Sequence, residues 1–116
     1  MPTFPRGDVV KVPFPYTDRA TRQRRPALVV SSSELETDHG LLWVVMITSA
    51  ENRRWAGDLP IDDLPLAGLS TPSVIRCAKI ATLDARDAER IGKVGRRIRS
   101  EVAARLAKQV GIPATR

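Results

Sequence analysis

The apolar residues of this chain come in short runs closed by prolines, glycines and serines, and that punctuation constrains the fold more than any other feature. Ala27-Leu28-Val29-Val30 lies between Pro26 and Ser31-Ser32-Ser33 and reads as a buried central strand. Leu41 to Thr48, through Trp43, Val44, Val45, Met46 and Ile47, repeats the pattern after a polar turn at His39-Gly40, so the two runs form the core pair, with Trp43 inside the core. Val9-Val10-Lys11-Val12 is a shorter strand, opened by Gly7-Asp8 and ended by Pro13 and Pro15, because proline cannot donate to a sheet ladder. Asp58-Leu59-Pro60-Ile61 reads as a weak edge strand, and Ser73 to Cys77 with Lys79 to Ala81 as a further strand with a bend between its halves. Nine prolines and seven glycines among such runs favour turns and strands over a helical bundle. At 116 residues the chain holds a single core, so residues 1–116 are expected to form one mainly β domain, of the α+β kind.

The last third follows other rules. Asp84 suits a helix N-cap and Asp87 adds favourable charge, with Gly92 and Gly95 limiting that helix to a turn or two. Ile98, Val102, Leu106 and Val110 then recur every four residues, with Arg99, Arg105 and Lys108 on other faces, which predicts an amphipathic helix ended by Gly111 and Pro113. Such a helix would pack across the open end of a small barrel. From Phe14 to Arg24 the sequence is polar and basic with neither period, and reads as a mobile loop of about ten residues.

Charge narrows the partners. Lys and Arg number 19 against 13 Asp and Glu, a net +6, but residues 31–75 alone net −5 while 17–30 net +3 and 86–108 net +5. If the basic flanks meet in the fold, they make a face suited to phosphates. With Cys77 as the single cysteine no intrachain disulfide can form, and no apolar stretch matches a signal peptide or a membrane span, so the expected location is cytoplasmic.

One histidine and one cysteine make a zinc site hard to build, and Asp58, Asp62 and Asp63 lack a calcium-loop pattern, so neither metal nor cofactor is expected. His39, in an acidic loop, is a poor triad member, and no glycine-rich phosphate loop is present. Arginine remains. Arg22, Arg24 and Arg25 crowd the start of the central strand and Arg76 lies on a later one. A guanidinium is always charged, binds a phosphodiester through paired hydrogen bonds and stabilises charge developing on it. RNA brings its own nucleophile in the 2′-hydroxyl, so cleavage needs only alignment, proton transfer and anion stabilisation.

Several segments match a known pattern in order and spacing: Arg6-Gly7-Asp8-Val9-Val10, Phe14-Pro15-Tyr16-Thr17-Asp18, Arg24-Arg25-Pro26-Ala27-Leu28-Val29-Val30 and Ile47-Thr48-Ser49. With Pro72-Ser73-Val74-Ile75-Arg76 and Ile80-Ala81-Thr82-Leu83-Asp84 they resemble the MazF/PemK family over nearly the whole chain. The resemblance implies a small SH3-like barrel (CcdB/MazF-like) with a C-terminal α-helix, a homodimer, and a toxin of a type II toxin-antitoxin system that cuts single-stranded RNA as a metal-independent mRNA interferase. It also implies a cognate antitoxin whose acidic C-terminal tail competes with RNA for one groove.

By position, Arg25 corresponds to the family's catalytic arginine, and Thr48 to the threonine that hydrogen-bonds the scissile region. Asp18 and Arg24 correspond to lesser contacts of the loop over the RNA, and Tyr16, which could stack on a base, with Arg22 and Arg76 of the arginine set, joins them as expected RNA contacts. One position departs. Some members carry an acid, thought to be the general base, two residues after the arginine matching Arg76, and here that residue is Ala78. The base is therefore unassigned between Arg76, the loop acids, and positioning with charge alone, and a guanidinium with a pKa above about 12 is a poor base at neutral pH. The departure keeps a second function class open, a non-catalytic toxin such as a gyrase binder, or a nucleic-acid clamp on the same fold.

Overall fold

The computed structural model describes residues 3–13 and 24–113. The described strands are β1 (Asp8–Val12), β2 (Arg25–Val29), β3 (Leu41–Ser49), β4 (Leu59–Pro60), β5 (Ser73–Asp84) and β6 (Glu89–Lys93). Three α-helices join them, α1 (Ser33–His39), α2 (Leu64–Ala67) and α3 (Arg96–Val110), with a 3-10 turn at Ala85–Asp87. The strands form one curled antiparallel sheet in the order β4-β5-β3-β2-β1-β6, a half-barrel with the C-terminal helix against it.

Consecutive residues of the central strands belong to opposite faces. Val9, Leu28, Val45, Ile47 and Ile75 pack with Ile98 and Val102 of α3, whereas Val10, Val12, Ala27, Val29, Leu42 and Val44 form a second cluster with Phe4. This is why the central runs are apolar without alternation: both faces are buried. Ile98 and Val102 are almost fully buried, each contributing about 2 kcal/mol by the usual cost of exposing an aliphatic side chain.

β2 starts at Arg25, before the expected boundary, and takes Pro26 into its ladder near the strand's first residue, where a missing N–H disturbs the fewest bonds. β5 follows β3 along its whole length, but its register shifts: Val45 faces Ile80 and Met46 faces Arg76. Cys77, Ala78 and Lys79 form the intervening bulge, the expected bend.

Four readings of the sequence are corrected here. The segment before β3 is a helix, α1, closed by Gly40 in the left-handed region (φ 69°), rather than a polar turn. The helix expected from Asp84 shrinks to the 3-10 turn, and Asp84 makes no side-chain cap; the residues after it form β6 along β1. Pairing satisfies the β1 edge, and that tertiary gain outweighs local helix preference. Gly92 serves packing, since a Cβ there would overlap the backbone of Leu66 and Ala67 in α2.

Trp43 is 47% exposed instead of core. Gln109 of α3 donates to the Cys77 carbonyl at 3.0 Å, fixing the helix over one half of β5, and Trp43 pairs with Thr82 beyond the covered half. Val110, 73% exposed, likewise lies past the buried stripe of α3.

Candidate functional site

Register brings the candidate residues together. Val12 of β1 pairs with Arg25, and the β2–β3 register, which sets Ala27 opposite Met46, brings the start of β2 toward the end of β3, where Arg25 and Thr48 line one cleft. At this shared strand end lies a cleft of about 310 Å³, lined by Lys11, Arg25, Thr48, Ser49, Asn52, Ser70 and Thr71, with Pro26, Ile47, Ile91 and the backbone near Gly68 completing it. Arg25 and Thr48 are half-buried. Lys11 and Asn52 were not singled out by the sequence; each is an ordinary polar residue at a strand end until the pairing is known.

The wall opposite the sheet is the segment from Gly68 to Ser73. The Ala50 N–H donates to the Pro72 carbonyl at 2.9 Å, and Ser73 Oγ donates to the Thr71 carbonyl at 2.9 Å, which fix that wall against the end of β3. Asn52 Nδ2 donates to Thr48 Oγ1 at 2.6 Å. Two cations on one side and hydroxyl and amide donors on the other are what a tetrahedral oxyanion needs.

β6 lies beside β1, and β1 beside β2, so the described part of the basic flanks, Arg24, Arg25, Arg90 and Lys93, stands on or next to the strand that carries Lys11, with Asp8 and Glu89 on the same strands. Arg24 is exposed and outside the cleft lining, with Nη2 donating to the carbonyls of Lys11 at 3.1 Å and Asp87 at 2.6 Å. Asp8 is buried, with Arg90 at 3.0 Å. Burial pushes its carboxyl above the ordinary carboxylate range against the pull of Arg90.

Arg76 is placed differently. It is 6% exposed and lines no part of the cleft; its guanidinium donates to Asp58 through Nε at 3.2 Å and Nη2 at 2.9 Å, and to the Arg53 carbonyl at 2.7 Å. The Trp55 ring covers it at 4.4 Å. Burial raises the Asp58 carboxyl, but the Arg76 hydrogen bond, the Trp55 N–H and the nearby guanidinium charges outweigh it and leave the group below its usual range. Tyr16, Asp18 and Arg22, with the rest of the expected mobile loop up to Gln23, lie outside the described residues.

Other candidates are occupied or remote. Asp62 pairs with Arg97 at 2.7 Å and Asp63 caps α2 through the Leu66 N–H at 3.1 Å, so with Asp58 the three carboxylates serve the fold separately. Among the described residues no three His, Cys, Asp or Glu side chains gather as a metal group would need, and no helix is long and apolar enough to cross a membrane. Burial pushes the Cys77 thiol up, away from nucleophilic character. Ala78 is exposed on the β5 bulge.

The family profile described as PemK-like, MazF-like toxin of type II toxin-antitoxin system matches residues 5–110. Crystal structures show the same fold. MazF from Deinococcus radiodurans superposes with a TM-score of 0.77 at 23% identity, covering 96% of this chain and 99% of that one. A MazE-MazF complex from the same organism gives 0.76 at 23% identity over 97% and 100%. An endoribonuclease in complex with its cognate antitoxin from Mycobacterial species gives 0.74 at 19% identity over 99% and 100%. No protein of curated function matches the sequence.

Proposed function

The chain belongs to the PemK-like, MazF-like toxin family of type II toxin-antitoxin systems, and from that premise we propose that it is a metal-independent endoribonuclease acting on single-stranded RNA in the cytoplasm. The observation that carries the reading is the cleft itself. Arg25 and Thr48, distant in sequence, share one concavity with Lys11. In this reading the 2′-hydroxyl gives its proton to solvent and its oxygen attacks the adjacent phosphorus, the P–O5′ bond breaks, and the products carry a 2′,3′-cyclic phosphate and a 5′-hydroxyl, no residue of the cleft being assigned as the base. Arg25 stabilises the charge on the pentavalent phosphorane and donates a proton toward the leaving 5′-oxygen. Thr48 hydrogen-bonds a non-bridging oxygen, and Lys11 adds to the field. Tyr16, Asp18, Arg22 and Arg24 belong to the same proposal as RNA contacts; Arg76 enters it as the anchor of the 50–58 segment instead of as a direct contact.

Partners follow from the same reading. Relatives are solved with MazE or with a cognate antitoxin, which supports an antitoxin partner here. Lys11 and Arg25 in the cleft suit an acidic tail as they suit RNA. A homodimer would extend a cleft too short for several nucleotides.

Incubating the purified protein with a long single-stranded RNA in excess EDTA, then mapping the ends, tests the proposal. Discrete cuts with cyclic phosphate and 5′-hydroxyl ends are the expected result. Ala78 and the fully engaged Arg76 favour one rival, a clamp that holds RNA without turnover. Intact RNA that nevertheless shifts in a gel would establish that rival instead.

A further inference from the structure

We propose that Asn52 is a positioning residue of the cleft, whose side-chain amide fixes the Thr48 hydroxyl as a donor toward the substrate phosphate. The inference rests on the endoribonuclease reading and deepens it.

The argument begins at the end of β3. After Ser49 the chain reverses: the Asn52 N–H donates to the Ser49 carbonyl at 3.1 Å, and the Glu51 N–H donates to Ser49 Oγ at 3.2 Å. The Ala50 N–H is held by Pro72. This turn is built by backbone hydrogen bonds and returns the Asn52 side chain over Thr48, where both line the cleft with Lys11 and Arg25.

The polarity of the Asn52–Thr48 bond decides the chemistry. A carboxamide nitrogen has only protons to give, so in this bond the threonine oxygen accepts. A hydroxyl carries one proton, and with Oγ1 already accepting, that proton is directed elsewhere and polarised by the bond it receives. The non-bridging oxygens of a phosphodiester only accept. An isolated threonine can meet its surroundings as donor or acceptor; Asn52 fills one of the two lone pairs of Oγ1 and favours the orientation that helps an oxyanion.

Reversing the bond tests this. Asn52→Asp replaces a donor by an ionised acceptor, which must take the Thr48 proton and turn the hydroxyl away from the phosphate. On an RNA with a single cut site, kcat for Asn52→Asp at pH 7.5 is expected to fall about 100-fold, close to the loss from Thr48→Val and within the range of a lost oxyanion donor. Asn52→Ala, which lets the hydroxyl rotate, should lose only a few-fold. As pH falls below about 4, through the ordinary aspartate range, the introduced carboxyl regains a proton to donate, so kcat of Asn52→Asp should rise relative to the unmodified protein. In Thr48→Val/Asn52→Asp the second change should add less than about twofold, because the group it acts through is gone.

A KM increase with kcat unchanged would reduce Asn52→Asp to charge repulsion and overturn the proposal, as would losses that simply multiply in the double variant. RNA left intact by the unmodified protein would sink the endoribonuclease reading itself, and the proposal with it.

Discussion

Arg25 and Arg76 stand on neighbouring parts of one sheet and read alike in the sequence, as strand arginines suited to phosphate, yet the fold uses them in opposite ways. Arg25 begins β2 beside Thr48 and lines a cleft of hydroxyl and amide donors. Arg76 sits beneath Trp55, with Asp58 accepting from Nε and Nη2 and the Arg53 carbonyl from Nη2. The difference is one of surroundings: the Arg76 guanidinium has a carboxylate and a carbonyl inside hydrogen-bond reach and is buried as a structural cross-link, whereas Arg25 is half-buried at a strand end and lines an open cleft. Residue type and motif position do not separate the two cases.

The largest effect expected from this contrast is on stability. Arg76→Ala leaves the 3%-exposed Asp58 carboxylate without its cation and should cost about 3–5 kcal/mol, read by urea unfolding. A loss below about 1 kcal/mol would mean that the buried pair is incidental. Next, Arg25→Ala should lower kcat about 100- to 1000-fold while leaving the protein folded, read by circular dichroism. RNA cleavage that survived this change would erase the distinction from the catalytic side.

The smallest effect is a pH dependence. The folded Asp58 pKa lies below the unfolded one, so its contribution is complete above about pH 4 and is lost as pH falls through the depressed folded value. Unfolding midpoints should therefore drop in that acid range, and Arg76→Met should flatten the drop. An unchanged slope in that variant would assign the acid sensitivity to other carboxylates.

Sequence patterning reached the main elements where both faces of a strand or one face of a helix were buried: β1, β2, β3 and α3 follow directly from Val9–Val12, Ala27–Val30, Leu41–Thr48 and the Ile98 series. It failed where a neighbour decided the outcome. β6 exists because β1 offers an edge, and α2 presses on Gly92, which local pattern read as a helix limit. α1 had signals, Ser32 before two glutamates and Gly40 at the end, but no apolar stripe, since none of its residues is buried. At the site, Arg25 and Thr48 were legible through the family's ordered motifs. Lys11 and Asn52 were not, because their relevance depends on strand register and on a turn that no single segment encodes.

That register has a consequence for safety in the cell. A slip of one residue between β2 and β3 would exchange the faces of Ala27, Leu28 and Val29 and carry Arg25 out of line with Thr48. The alternation that makes such a slip costly is the same one that assembles the cleft. Under the proposed function, a copy of the chain that has not reached its native pairing lacks the cleft and is harmless, so the poison and the finished fold arrive together, and an antitoxin need only meet molecules that have already folded.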